Sequence, residues 1–258
     1  WFITLMSLII SYFIISFFRF RIKRAMEKSE NEKIAFKARL IALEQQSLNA
    51  SMNRHFIFNS LNSIQYFINT SDKLSANKYL TNFAKLIRKN LDSSNENNTL
   101  VTLAQEIERI ELYLSLESMR FKDRFDFTID TLNIDLDAVM IPAMLIQPFV
   151  ENSIIHGVLP NENKKGKIVV KVTEEGEYLT ILVEDNGIGI ENSLAQKGQF
   201  EGDHKSQGME ITFKRIDLIR KVSNQSLELI GPTQINEENG SIKGTRVLLK
   251  IRKENLEE

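Results

Sequence analysis

Chemistry in this chain begins with a short inventory. There are three histidines, His55, His156 and His204, and no cysteine. Zero Cys excludes disulfides, zinc ribbons, thiolate iron–sulfur sites and cysteine nucleophiles. Any histidine chemistry has these three candidates. Three further stretches carry chemical character. Glu151-Asn152 sits among Met144, Leu145, Ile146, Phe149 and Val150. A polar pair in such a run is either satisfied or functional, and a solvated helix face is the plain alternative. Asp185-Asn186-Gly187-Ile188-Gly189 directly follows a strand pattern. Glycines there let backbone approach a ligand closely, although a hairpin turn has the same composition. Ser206-Gln207-Gly208 precedes an apolar-periodic run. Backbone N–H groups at a helix start can meet phosphate, and a simple N-cap reads equally well.

These residues need elements to position them. From Phe36 to Ile68 a 4,3,4,3 spacing runs through Phe36, Leu40, Leu43, Ser47, Ala50, Arg54, Ile57, Leu61, Ile64 and Ile68, with no Pro or Gly. That heptad seam predicts a long helix that pairs with another. Arg54 places a charge in the seam. At about 100° per residue His55 lies about 200° from Ile57, so the stripe His55, Asn59, Asn62 faces away from the apolar one. A histidine on such a stripe is ordinarily a surface residue. A second helix is expected over Ser75–Leu91, with Leu80, Ala84, Ile87 and Leu91 on one face and Asp72 or Ser75 as its cap. The short link at Thr70–Leu74 predicts an antiparallel pair, and two such hairpins make a four-helix bundle. Residues 92–99 read as a polar linker. A third helix starts near Thr102, with Thr102 and Gln105 at capping-box spacing.

The second half alternates strands and helices. Phe125–Ile129, Lys167–Val172, Tyr178–Val183, Leu227–Ile230 and Thr245–Ile251 read as strands. Ala143–His156 reads as a helix after Pro142, ended by Gly157. Residues 191–207 read as a loop. The class is α+β, a mainly antiparallel sheet with helices on one face.

Residues 1–18 carry no charge, and Arg19, Arg21, Lys23 and Arg24 follow at once. Eighteen helical residues reach roughly 27 Å, just short of a ~30 Å hydrocarbon core. Trp1 and Tyr12 suit membrane interfaces, and the basic cluster suits the cytoplasmic side. A cleaved signal peptide needs its charges before the apolar run. A membrane anchor is therefore expected. Trp1 rather than Met stands first, which fits a fragment with a sensing region upstream. The whole chain has 258 residues with 33 Lys+Arg against 34 Asp+Glu. That balance gives no general basic field and no argument for direct nucleic-acid binding.

The order of the motifs points further than any one of them. Asn53-Arg54-His55-Phe56-Ile57-Phe58-Asn59-Ser60-Leu61-Asn62 resembles the phosphoacceptor motif of the LytS/YehU-type sensor histidine kinases. Pro142 with Gln147-Pro148-Phe149-Val150-Glu151-Asn152-Ser153-Ile154-Ile155-His156-Gly157 resembles the N box of that family, and Asp185-Asn186-Gly187-Ile188-Gly189 its G1 box. Gly244-Thr245 before the last strand also fits. The resemblance covers roughly 35–250. Two departures stand out. Residue 54 is Arg where the family commonly has Pro, and Ser206-Gln207-Gly208-Met209-Glu210-Ile211 lacks one glycine and the Asn of the usual G2 box.

The resemblance implies a membrane-anchored, multi-domain kinase: a transmembrane helix (1–18), a juxtamembrane helix (19–35), a coiled-coil and helical-hairpin dimerisation and phosphotransfer domain (36–94), and an α+β sandwich of the GHKL ATPase type (95–258). It implies ATP-dependent phosphorylation of a histidine. Imidazole suits this, because an unperturbed pKa of ~6.5 leaves a free lone pair at neutral pH. By resemblance His55 is the nucleophile, Asn59 orients its ring, and Glu151 is a remote base. Residue 56 is Phe, where many other histidine kinases place an acid. Asn152 would serve Mg²⁺, Asp185 would accept from the adenine amino group, and Gly187, Gly189, Gly208 and Thr245 would line the ATP site. His156 and His204 read as a helix-end and a loop residue. The implied partners are a second copy of the chain, membrane lipid, and a response regulator, in this family often of the LytTR DNA-binding type. The implied location is the cytoplasmic membrane of a bacterium, with the catalytic part inside. Two competing readings are an ATPase that drives a conformational clamp and a non-catalytic membrane-anchored scaffold.

Overall fold

A computed structural model describes residues 6, 12–24, 26, 28, 56–95, 100–122, 124–131, 134–162, 164–197, 213, 216–217, 227–237 and 242–252. The chain divides into two compact units, Trp1–Arg54 and His55–Glu258. In the first unit, residues 12–24 are helical and exposed throughout. The Arg24 guanidinium lies 4.7 Å over the Phe20 ring. Most of the expected span over 1–18 lies outside the described residues, and so does the seam from Phe36 to Arg54. Among the described residues no helix is long and apolar enough to cross a membrane.

The second unit opens with an antiparallel hairpin. Helix α1 (residues 56–69) turns at 70–72 into α2 (Lys73–Asn95). Asp72 caps α2 as expected, accepting from the Ser75 N–H at 3.0 Å. The helices close on aromatic contacts, Phe67 with Tyr79 at 5.8 Å and Phe56 with Phe83 at 6.0 Å. The Tyr79 hydroxyl is 3.3 Å from Ser60 Oγ in a buried contact. Of the seam positions, Ile64 packs on the core, while Leu61 and Ile68 are 50% and 62% exposed. Helix α2 runs through Asn95, four residues into the expected linker. Polar residues without Gly or Pro do not themselves end a helix.

Strand β1 (Leu100–Thr102) leads into α3 (Leu103–Arg120). The capping box at its start is complete: Gln105 N–H donates to Thr102 Oγ1, and Thr102 N–H to Gln105 Oε1, both at 3.2 Å. After β2 (Phe125–Asp130), β3 (Met140–Pro142) pairs antiparallel with β1. Helix α4 (Gln147–Asn152) continues as a π-helical turn over Ser153–Val158. The expected helix from Ala143 is thus corrected at both ends. Pro142 closes a strand, Met144 takes a positive φ of 57°, and the helix passes through Gly157 rather than stopping there.

Strands β4 (Gly166–Glu175), β5 (Tyr178–Asp185), β6 (Leu227–Asn236) and β7 (Ile242–Arg252) complete a five-stranded sheet of order β2-β4-β5-β7-β6. The β2–β4 pair is parallel and the others are antiparallel, as the α+β reading expects. Alternation sorts the faces. Val170 opposes Val183 and Val172 opposes Ile181 on the buried side, which α3, α4 and the π turn cover. On the other side Glu184 pairs across to Arg246 at 2.7 Å. Strands β6 and β7 are longer than expected. Gly231-Pro232 interrupts the pattern of β6 but lies at a register shift between Ile230 and Thr233, where a proline is tolerated. The expected loop over 191–207 begins as helix instead, α5 (Gly189–Lys197).

Candidate functional site

The end of β5 and the end of α4 meet at one point. Asp185 is the last residue of β5 and lies opposite Thr245 of β7 in the ladder. Its side chain is buried, and its Oδ1 accepts from the Gly187 N–H at 2.9 Å. Burial pushes the carboxyl up to about 6. Hydrogen bonds from the Gly187 amide, the Ser153 side chain and the Thr245 amide pull it the other way. Ser153 immediately follows Asn152, so the Asp185 carboxylate is tied to the helix that carries the Asn.

Close backbone approach explains the glycines. A Cβ on Gly157 would stand 2.7 Å from Asp185 Oδ1, and one on Gly187 would overlap the Gly157 carbonyl. The Ile188 N–H donates to the Gly157 oxygen at 3.1 Å. The π turn therefore lets the chain lie directly on the turn after β5; π turns recur at functional sites. Asn186 is structural: its Oδ1 accepts from the Lys167 N–H at 2.6 Å. Beside this turn a cavity of about 460 Å³ opens, lined by Asn161, Gly187, Ile188 and Asn192 among others.

Along α4, Gln147 Nε2 donates to Glu151 Oε1 at 2.8 Å. Burial pushes the Glu151 carboxyl up to about 7. Next to it stand residues that the sequence reading passed over. Glu117 of α3 is buried, pairs with Arg120 at 2.7 Å, and is also pushed up to about 7. Burial is the main cause, opposed by Arg120 and reinforced by the charge of Glu151. Its Oε1 is buried without a hydrogen-bond partner. Tyr113, also on α3, is raised well above the usual tyrosine range by burial and by Glu151 and Glu117. A clue was present: Glu106, Tyr113 and Glu117 fall at helical spacing on the same face as Ile110 and Leu114.

The helical hairpin comes to the same layer. His55 and Arg54 lie outside the described residues, but Phe56 packs its ring 5.7 Å from Tyr113. Asn59 is half-buried and lines a groove of about 510 Å³ with Asn62, Tyr66, Arg120 and Lys122. The Lys122 ammonium sits 4.9 Å over the Tyr66 ring. Gly189 starts α5 with φ 76°. Among the expected site residues, Asp185, Gly187 and Thr245 come together where β5 ends, beside Ser153, while Glu151 and Asn152 stand on α4 just before Ser153. Gly208, His204 and the whole 198–212 stretch lie outside the described residues. His156 is half-buried in the π turn.

Among the described residues no group of three His, Asp or Glu side chains could hold a metal ion. The hard amide oxygen of Asn152 still suits Mg²⁺, which keeps several waters and takes its remaining oxygens from substrate phosphate.

A helical hairpin joined to a mixed five-stranded sheet, with a buried Asp where the helix layer meets the sheet, defines a two-part module with a cavity beside that Asp-Asn-Gly turn. Residues 43–125 match the histidine kinase family, and residues 140–255 match the family of histidine kinase-, DNA gyrase B- and HSP90-like ATPases. The sensor protein LytS of Staphylococcus haemolyticus is 38% identical over 63% of this chain and 27% of its own length. The sensor histidine kinase BtsS of Escherichia coli K12 is 36% identical over 58% of this chain and 26% of its own. A solved histidine kinase domain from Erythrobacter litoralis aligns at TM-score 0.41 and 16% identity, over 70% of this chain and 75% of that one. Over these two stretches the chain is similar to histidine kinases, LytS sensor proteins among them. It spans about a quarter of the length of the curated relatives it matches.

Proposed function

We propose that this chain is the kinase part of a two-component sensor. It phosphorylates His55 from Mg-ATP and passes the phosphoryl group to an aspartate of a response regulator. The observation that carries this reading is the Asp185 carboxylate, buried at the end of β5 and locked to the helix of Glu151 and Asn152. A buried carboxylate with an acceptor to spare recognises an amino group such as that of adenine. Gly187, Gly189, Gly208 and Thr245 line the rest of the nucleotide site. Asn152 offers its amide oxygen to the metal. Through that oxygen Asn152 would hold Mg²⁺, which would supply charge neutralisation for the phosphates.

The lone pair of a neutral His55 ring nitrogen attacks the γ-phosphorus. The bond to the bridging oxygen breaks, and ADP leaves. The other ring nitrogen then sheds its proton. Residue 56 is Phe, so the neighbouring acid used elsewhere is replaced by Glu151, whose carboxyl at about 7 is balanced to accept a proton near neutrality. Asn59, one turn along, orients the ring. Domain limits follow the sequence reading: 1–18 as membrane anchor, 19–35 juxtamembrane, 36–94 for dimerisation and phosphotransfer, 95–258 for ATP. The exposed Leu61 and Ile68 suit a second copy of the hairpin in a four-helix bundle. The groove between Asn59 and Lys122 lies alongside the acceptor stripe, where a response regulator, of LytTR type in this reading, has room to dock.

The test is to incubate the 258-residue chain with γ-labelled ATP and Mg²⁺, beside His55→Gln and Asn152→Ala. Acid-labile, alkali-stable label on the wild type alone is the expected result. Nucleotide turnover without retained label would instead make it an ATPase. Absence of nucleotide binding would make it a scaffold.

A further inference from the structure

Helix α4 carries Glu151 and Asn152, yet its own start is poorly equipped. Its N-cap position is Ile146, and no side chain within the helix caps it. Pro148 stands in its first turn. The preceding turn holds Met144 at φ 57°, a conformation that a residue with a Cβ adopts at a cost. Something outside the helix must fix this turn.

Glu106 does so from α3. It is fully buried, at 0% exposure. Its Oε2 accepts from the Met144 N–H at 3.1 Å and its Oε1 from the Ile146 N–H at 3.2 Å. Arg109, one turn along α3 and 2% exposed, donates from NH1 to Glu106 Oε2 at 2.9 Å. A buried carboxylate without a cation would be prohibitively costly. Arg109 supplies the charge, and the carboxylate spends both oxygens on the strained turn. The arrangement is a helix cap supplied in trans, across 40 residues of sequence. A carboxylate at a helix N-terminus also meets the positive end of the helix dipole.

We infer that Glu106, held by Arg109, is the positioning residue that sets the helix of Glu151 and Asn152 against the nucleotide. The inference rests on the proposed nucleotide site and adds a division of labour within it. Adenine recognition belongs to Asp185 on β5, anchored by the sheet. The metal-phosphate side belongs to Asn152 on α4, anchored by Glu106. Loosening Glu106 should therefore disturb the second and spare the first.

The experiment compares the full chain with Glu106→Gln in two measurements. Gln keeps the shape but faces three donors with one acceptor oxygen. Hydrogen exchange at Met144 and Ile146 should accelerate about tenfold or more, the scale of a lost buried hydrogen bond, while β4 and β5 stay protected. The Mg²⁺ concentration for half-maximal labelling of His55 should rise several-fold, and excess Mg²⁺ should restore the label. Affinity for a fluorescent ATP analogue in EDTA should stay within about twofold, because Asp185 is untouched. Glu106→Asp, which keeps the charge beside Arg109 but shortens the reach to the amides, should show the same pattern and serves if the Gln protein does not fold. Unchanged exchange at 144 and 146 would overturn the inference. So would equal losses in exchange protection over β4–β5 and in Mg²⁺-free nucleotide affinity, the mark of general destabilisation. A wild type that binds no nucleotide would overturn the proposed function instead, and the exchange data would still decide whether Glu106 holds α4.

Discussion

The Phe56 ring lies 5.7 Å from the Tyr113 ring, inclined by 37°. Phe56 is the residue next to His55, and Tyr113 stands on α3 beside the acids Glu117 and Glu151. The start of α1 thus packs on the same helix layer that carries the proposed proton acceptor. Phe56 occupies the position of the missing acid, and it contributes packing where other kinases contribute charge.

Phe56→Ala should separate positioning from nucleotide binding. The aromatic pair is worth ~0.5–1.5 kcal/mol beyond its area burial. A misplacement of about 1 Å at a reacting group costs on the order of 100-fold in rate. Label on His55 should fall at least tenfold, while the affinity for an ATP analogue stays within about twofold. Equal falls in both, in a filter assay and a fluorescence titration, would mean that the contact is general scaffolding.

Glu151 and Glu117 predict a pH profile. Both carboxyls are pushed up to about 7, mainly by burial. The groups facing them are Arg120, Tyr113 and Gln147; Arg120 favours the ionised Glu117, and Gln147 the ionised Glu151. A proton acceptor must be ionised, so labelling of His55 should rise with pH through about 7 and level off above it. Glu151→Gln should lower and flatten the profile. An unchanged slope in the variant would assign the proton step elsewhere.

The same shifts bear on stability, with the opposite sense. Each carboxyl has a folded value above its unfolded one, so the folded state binds the proton more tightly. Stability from these groups is fully present below about 4.5 and is lost as pH rises through about 7. Glu117→Gln should therefore weaken the pH dependence of the thermal midpoint between pH 5 and 8 (about one carboxyl's share). Thermal melts across that range read it directly.

How much of this was legible beforehand follows from the length of each pattern. The capping box at Thr102 and Gln105 and the Asp72 cap are local chemistry, and both are in place. Strands β4 and β5 repeat an alternation long enough to read. Strands β1 and β3 span three residues each, too short for a period, and Pro142 reads more naturally as a helix start. The Glu151–Asn152 and Asp185–Gly189 stretches stood out because polar and glycine residues interrupt apolar runs. Glu106 and Glu117 did not, because ionised residues on a helix usually mark its solvated side. Here tertiary packing overrides that habit, and the buried partners lie 40 residues away or on a neighbouring turn.

Asp185 should set the pH limit of nucleotide binding. Its carboxyl is pushed up to about 6 by burial, and accepting from an amino group requires the ionised form. Affinity should be constant above about pH 7 and fall toward tenfold per unit below 6. Asp185→Asn presents a donor where an acceptor is needed, which costs about 1–3 kcal/mol for the group left unpaired. The variant should bind an ATP analogue on the order of tenfold to 100-fold more weakly. Isothermal titration at pH 5.5, 6.5 and 7.5 decides the point, and a variant with wild-type affinity would remove Asp185 from the nucleotide site.

Two glycines make the last prediction, because only one of them lies against backbone. Gly176 sits in the β4–β5 turn at φ 61°, and a Cβ there would meet nothing within 4 Å. Gly176→Ala should cost only the left-handed strain, ~1 kcal/mol, and leave nucleotide binding unchanged. At Gly187 a Cβ would overlap the backbone of Gly157, whose own Cα hydrogen faces the Asp185 carboxylate. Gly187→Ala must push the turn after β5 off the end of the π turn, breaking the Ile188 to Gly157 hydrogen bond of 3.1 Å. Overpacking of this kind costs typically ~1–3 kcal/mol, and here it also moves the carboxylate proposed to read the base. The expected outcome is a similar or somewhat larger fall in thermal midpoint than for Gly176→Ala, together with loss of nucleotide affinity that the first variant does not show. Equal binding by the two variants would mean that the contact between Gly187 and Gly157 supports the fold alone.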